Sequence, residues 1–351
     1  MSAENIPSYD ALLFVSFGGP EGREDVMPFL ENVLRGKPVP RERMLEVAEH
    51  YYHFDGISPI NQQTRELIAA VKSELQQQEI NLPIYWGNRN WHPMLADTLQ
   101  DMQNDGVKRA LVFITSAYSS YSGCRQYREN IAEAKSTLAG EIPETDKIRM
   151  FYNHPGFVNT IADLLSESLA TFEESARSEA TILFTAHSIP NGMADNCSYA
   201  TQLNETARLV MQQIGENPWH LVYQSRSGPP TQPWLEPDVC DFIEQINSQQ
   251  KPSHLAIVPI GFISDHMEVM FDLDIEAQEM CEELDIKMVR VPTVGTHPQF
   301  VKMVVELIRE RTEHIEKKAL GNFGPSHDVC PVDCCLYTPK RPPMRGQSRS
   351  N

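Results

Sequence analysis

Five acidic residues crowd one stretch, GFISDHMEVMFDLDIE at 261–276: Asp265, Glu268, Asp272, Asp274 and Glu276, with His266 among them. The stretch overlaps the end of HLAIVPIGF (254–262), an apolar run that reads as a buried strand. A helix beginning near Asp265 puts Glu268, Asp272 and Glu276 at i, i+4 and i+8. They form a ridge, while Val269, Met270, Leu273, Ala277 and Met280 make the buried stripe. Like charges at this spacing repel, and a dication passing along them relieves that cost. Oxygen and imidazole ligands without a thiolate suit a labile divalent metal such as ferrous iron in transit. The plainer reading is that early-turn acids complement the helix dipole and solvate one face.

A second chemical group sits in TAHSIP (185–190), where His187 directly follows the apolar ILFTA. A neutral imidazole at a rigid strand end suits proton transfer near pH 7. The alternative is a histidine satisfied inside a strand-end turn. SFGGPEG (16–22) lacks G-x-G-x-x-G and the P-loop lysine, so its glycines are expected to let a flat ligand approach the backbone. QSRSGPPTQPWLEP (224–237) is either a rigid loop or one wall of a cleft for something large, planar and apolar. Seven cysteines are present, and Cys330, Cys334 and Cys335 crowd into CPVDCC, too densely for core packing. Cys240 and Cys281 fit helical cores.

These groups need a scaffold, and the chain alternates short apolar runs with amphipathic stretches. The runs are 11–17, 82–88, 109–117, 147–153, 180–188, 220–225, 254–262 and 286–292. Helical stretches include 59–78, 125–138, 156–177, 199–215 and 297–319. Near-continuous apolar strands alternating with helices predict an α/β protein with parallel sheets covered on both faces. The runs divide into two sets of four around FYNHPGF, giving two doubly wound, Rossmann-like domains and a weak hint of duplication. The expected divisions are a first domain at 8–153, a second at 154–296, a helix at 297–320 packing back on the first, and a Cys-containing extension at 321–351. Ligands in such sheets bind beyond the carboxyl ends of the strands. That rule converges Phe17, Gly18 and Gly19, Ser116, Tyr118 and Ser119, His187 and Ser188, Gln224, Ser225 and Arg226, and Asp265, His266 and Glu268 on one cleft.

The chain has 351 residues, 41% hydrophobic and 22% charged, enough for two α/β domains. A formal charge of -18 argues against a nucleic-acid surface and tolerates cations. The N-terminus has neither a basic start nor an apolar segment and no run is long enough to span a bilayer, so the expected location is the cytoplasm. An odd cysteine count there argues against a disulfide scaffold. The end of the chain, KRPPMRGQSRSN, is expected to be mobile.

Together, LLFVSFGGPEG, FDGISPIN, YWGNRNW, TSAYSSYSGCRQY, FTAHSIP, YQSRSGPPTQPWLEPDV and PIGFISDHMEVMFDLDIE resemble the ferrochelatases, in the family's order from 11 to about 310. The resemblance implies two Rossmann-like domains with four-stranded parallel sheets and a porphyrin held between them. It implies a catalytic pair, His187 and Glu268, that also meets the ferrous substrate, with Asp272 where the family often has Glu. The imidazole and the acidic row are expected to face each other across a gap the size of the macrocycle. Ser58 and Tyr127 look like porphyrin-contact positions, Phe17 joins them at the first strand end, and Arg35 is a candidate for a propionate because guanidinium forks match carboxylates. Several ferrochelatases carry a 2Fe-2S cluster on three C-terminal cysteines and one earlier cysteine. Cys330, Cys334 and Cys335 with Cys124 would supply such a set. The C-x3-C-C spacing departs from the more open spacing of animal enzymes, which leaves Cys197 as a competing fourth ligand and zinc as the alternative metal.

The wording of SFGGPEG and SAYSSYSGCRQY leans towards actinobacterial-type enzymes, and so towards coproporphyrin III over protoporphyrin IX. The rivals are a cobalt chelatase, which would more often have a second histidine where Tyr118 stands, and a non-catalytic tetrapyrrole or metal carrier. No nucleic-acid partner is expected. A transient contact with a membrane surface or another heme-pathway enzyme stays open.

Overall fold

Two four-stranded parallel sheets organise the chain in a computed structural model that describes residues 8–37, 39–228 and 231–337. The first contains β1 (Ala11–Ser16), β2 (Ile84–Asn88), β3 (Arg109–Ile114) and β4 (Glu144–Lys147), in the order β2-β1-β3-β4. The second contains β5 (Thr181–His187), β6 (Trp219–Gln224), β7 (His254–Val258) and β8 (Lys287–Arg290), in the order β6-β5-β7-β8. The second order repeats the first strand for strand. Helices cover both faces, so the central strands carry apolar residues at successive positions, and every residue of β1 is buried.

Two helices, one following each sheet, open with nearly the same short sequence, HPGFV at 154–158 and HPQFV at 297–301. In both, the histidine is the N-cap, its Nδ1 accepting from the backbone N–H two residues on, at 3.0 Å from Gly156 and 3.4 Å from Gln299. The proline follows at a position that lacks a helical partner anyway. These helices, Pro155–Leu169 and Pro298–Thr312, pack on each other, with Phe157 and Phe300 centroids 6.1 Å apart. A Cβ on Gly156 would lie 2.6 Å from Met303 Cβ, so glycine is what lets the helices approach. The Pro298–Thr312 helix also packs on the Ile60–Gln77 helix of the first half. Arg149 and Glu310, 1% and 2% exposed, lock this seam with bonds of 2.7 and 2.9 Å. Removing either partner strands a buried charge, at a cost of about 3–5 kcal/mol.

Four differences from the sequence reading have physical causes. The fourth strand is the polar edge segment Glu144–Lys147; the apolar run at 148–153 instead buries Ile148, Met150, Phe151 and Tyr152 at the seam. The last helix stops at Thr312, and the following chain runs back so that the Leu320 N–H donates to Asn153 O at 2.8 Å. The helices Arg23–Val33 and Arg41–His53 carry Pro28 and a His/Tyr-rich turn, which blurred their periodicity. Finally, Tyr121–Arg125 and Met270–Ala277 are π-helices, each following the third strand of its half. The terminal KRPPMRGQSRSN lies outside the described residues. No helix among the described residues is long and apolar enough to cross a membrane.

Candidate functional site

His187 closes β5, and its ring Nδ1 is bonded to the Ser188 carbonyl. A carbonyl only accepts, so Nδ1 carries the hydrogen and the neutral ring keeps its lone pair on Nε2. That nitrogen lies 3.7 Å from Glu268 Oε2, with the His266 Nδ1 at 3.9 Å from the same oxygen. Neither separation is a hydrogen bond. The pair therefore sits side by side on adjacent strand ends of the second half, which corrects the expectation that imidazole and acids face each other across a macrocycle-sized gap. Both belong to one wall, because β5 and β7 are neighbours in one sheet. Burial lowers the His266 pKa, against the pull of Glu268. The close approach of the 259–266 loop to β5 depends on Gly261, where a Cβ would come within 2.7 Å of Ala186.

The five acids separate into two groups. Arg290, at the end of β8, forks to Asp265 at 3.0 and 3.3 Å and to Asp274 at 2.7 and 3.1 Å. Glu268, Asp272 and Glu276 have no Lys or Arg partner among the described residues. Asp272 accepts from Ser225 Oγ and from Gln224 Nε2 at 3.2 Å, both at the end of β6. Burial nevertheless pushes its pKa up to about 7, with Glu268 and Glu276 adding to the rise. The Glu276 pKa is raised as well, by burial and then by Asp238. The ridge keeps its alignment because the helix widens. Four-residue steps drift by about 40° each on a 3.6-residue helix, and the i→i+5 turn of a π-helix reduces that drift. On the opposite face Val269, Leu273, Ala277 and Cys281, also four apart, are all fully buried. Cys281 thereby completes the stripe, while Met270 and Met280 are only partly covered.

The first half supplies aromatic and basic groups. Arg89, at the end of β2, lies over the rings of Tyr127 at 4.5 Å and Phe17 at 5.5 Å. Tyr127 and Ser58 are 5% and 4% exposed. Arg35 is exposed, its guanidinium bonded to Asn32 Oδ1. Lys37 has its pKa lowered by burial and then by the charge of Arg89. On the Cβ side of the SFGGPEG glycines the chain packs on itself: a Cβ on Gly18 would meet Asn88 at 2.9 Å and one on Gly19 would meet Ser58 at 2.8 Å. The chain itself occupies that space. Helix Arg41–His53 bridges to the π-helix, His50 stacking on Phe271 at 3.8 Å. Within QSRSGPPTQPWLEP, Trp234 is 9% exposed and packs on Gly228; Pro229 and Pro230 lie outside the described residues.

A separate centre gathers the thiols. Cys124, on the Tyr121–Arg125 π-helix, hydrogen-bonds Cys330, and Cys334 Sγ lies 3.5 Å from Cys335 Sγ. Ligand atoms of His327, Cys330 and Cys334 all lie within 4.8 Å of one another, close enough to hold a metal. Arg125 holds the loop by donating to the carbonyls of Val332 and Cys334 at 2.8 and 3.0 Å. The Cys330 pKa is lowered, first by the bond from Cys124 and also by Lys147, His327 and Arg128. The Cys197 thiol is pushed up by burial and the nearby Cys334 sulfur. Free, converging thiols with cations around them fit a metal group. Sequence reasoning passed over Arg89, Arg290 and His327; an H-x2-C spacing ahead of CPVDCC was the signal for the last.

The ferrochelatase family model matches residues 9–312. The chain belongs to the ferrochelatase family. It is 60% identical to the ferrochelatase of Rhodopirellula baltica, over 97% of each chain. It is 47% identical to the coproporphyrin III ferrochelatase of Streptomyces griseus, over 96% of each, and 48% identical to that of Mycolicibacterium smegmatis, over 86% of this chain and 90% of the other. Among solved structures, SirB from Bacillus subtilis with Fe3+ shares the fold, with a TM-score of 0.55 at 10% identity over 87% of this chain and 96% of that one. As a ferrochelatase, the protein is a metal-chelating enzyme that inserts iron into a porphyrin in heme synthesis. That membership selects iron insertion over the cobalt-chelatase and carrier alternatives.

Proposed function

We propose that this ferrochelatase inserts ferrous iron into coproporphyrin III, with His187 as the proton acceptor and Glu268, Asp272 and Glu276 as the route of the metal. The observation that carries this reading is the His187 Nε2 lone pair, 3.7 Å from Glu268 in a carboxylate row that no Lys or Arg among the described residues neutralises. Two pyrrole protons must leave as one dication enters, so the charge of the macrocycle core is unchanged. His187 takes one proton, Glu268 beside it stabilising the imidazolium formed, and the second proton passes to the Asp272 carboxylate once the metal has left it. The negative row draws the dication inward, and Asp272, titrating at about 7, can exchange a proton for the metal near neutrality. Because both groups lie on one wall, the macrocycle lies against them, with the first half opposite supplying Phe17, Ser58, Tyr127 and Arg35.

Two relatives named coproporphyrin III ferrochelatase support the substrate. Lys37 and Arg89, close enough for the charge of one to act on the other, add positive charge in the first half, which favours a porphyrin with four propionates over one with two. Steady-state assays with both porphyrins under ferrous iron test this. We expect kcat/KM for coproporphyrin III to be higher by about tenfold or more, about 1.4 kcal/mol in transition-state binding. Higher kcat/KM with protoporphyrin IX overturns it.

For the thiol centre we propose a 2Fe-2S cluster on Cys124, Cys330, Cys334 and Cys335. The thiols form two close pairs, Cys124 with Cys330 and Cys334 with Cys335, and two irons take two thiolates each. Visible absorbance in anaerobically purified protein supports a cluster, and colourless protein with stoichiometric zinc reverses it. The proposed location is the cytoplasm, and the proposed domain limits are 8–153 and 154–296, followed by the 297–320 segment and the 321–351 extension.

A further inference from the structure

A cavity of about 230 Å³ opens between β3, β4 and the helix Gln126–Ser136, beside the thiol centre and apart from the His187 site. Val112, Ile114 and Ile131 make its floor, and Arg128, Lys135 and Lys147 surround it. It lies towards the carboxyl ends of β3 and β4, where open α/β sheets bind ligands. The helix contributes residues 128, 131, 132 and 135, one face at i, i+3, i+4 and i+7.

Three cations line the cavity, and the acidic group that Lys147 and Arg128 act on is the Cys330 thiol of the neighbouring centre, whose pKa they lower. Arg128 Nη1 is buried and has no hydrogen-bond partner among the described residues. Among the described residues Lys147 donates to the Ile148 carbonyl alone, at 2.9 Å. The nearest acids to Lys135, Glu144 and Asp146, are already engaged by Arg109 at 3.0 and 2.7 Å. A buried guanidinium nitrogen without a partner costs free energy that an anion would recover. In a chain of net charge -18, a cavity lined by three cations is a local reversal of the general field.

We infer that this cavity binds a small organic anion, its acid group held by Arg128 and Lys147 and its apolar body resting on Val112, Ile114 and Ile131. The volume sets the size: an apolar cavity of about 150 Å³ takes benzene, so 230 Å³ accepts a single ring bearing an acid group.

The probe is 4-fluorobenzoate, followed by its fluorine NMR signal as it is titrated into the full-length protein. We expect saturable broadening, none with the neutral 4-fluorobenzamide, and at least about tenfold weaker binding in Arg128→Gln. Ala132→Phe, which keeps every cation and fills the mouth, should also block binding and serves as the second variant if Arg128→Gln misfolds. Absence of saturable binding, equal binding of the amide, or binding unaffected by Ala132→Phe overturns the assignment. Iron insertion by Ala132→Phe should match wild type, which separates this cavity from the porphyrin site.

Discussion

The two π-helices occupy the same place in the two halves, after the third strand and before a regular helix, and their surroundings are opposite in charge. In the second half the segment carries Asp272, Asp274 and Glu276, and Glu268 precedes it. In the first it carries Cys124 and Arg125, with Arg128, Lys135 and Lys147 close by. A shared topology thus offers one widened turn twice, and side-chain charge decides what each turn can hold: a dication along the first-named row, thiol chemistry and anions beside the other. The contrast makes separable predictions. Changes in the acidic segment should act on iron insertion, and changes at the thiol centre on stability and absorbance.

The largest expected effect is that of His187→Ala, which should lower kcat for iron insertion by about 10²–10⁴-fold. Porphyrin binding, read by fluorescence quenching, should be nearly unchanged. Undiminished turnover would remove His187 from the mechanism. Next, Glu268→Gln should lower activity far more than Glu283→Gln, an exposed acid on the following helix; equal losses in the same assay would mean that bulk charge and not placement matters. At the other π-helix, Cys334→Ser should abolish visible absorbance and lower the thermal midpoint, since a bound metal group stabilises the state that holds it. Unchanged absorbance would release Cys334 from the centre.

The smallest effect is one of pH. Burial raises the Asp272 pKa from an ordinary 3.8 to about 7. Between those values the folded state keeps a proton that the unfolded chain has released, so stability falls as pH rises and the full penalty is present above 7. Asp272→Asn removes the penalty. Its melting midpoint should exceed wild type at pH 8, with the gap closing towards pH 4; a gap that is constant with pH would show that Asp272 titrates normally.

Much of the scaffold was legible because buried parallel strands are nearly continuous in apolar residues, as in β1 and β5. The exception teaches the limit of that signal. Residues 148–153 are apolar because they fill the seam between the halves, while the true fourth strand, an edge segment reading ETDK, has no apolar pattern to detect. His187 and Glu268 were legible from type and position, but their placement on one wall was not, because it follows from the pairing of β5 with β7, a long-range contact. Similarly, nothing local marks Asp265 and Asp274 as neutralised. Arg290, on a different strand, decides which two carboxylates are held by an arginine. The duplication was barely visible in residue identity, yet HPGFV and HPQFV cap equivalent helices.

Anomalous diffraction from crystals soaked in manganous ion, a stand-in for ferrous iron, tests the central claim most directly. The account predicts manganese peaks beside the carboxylates of Glu268, Asp272 or Glu276. Peaks confined to Asp265 and Asp274, the two acids that Arg290 already holds, would contradict it.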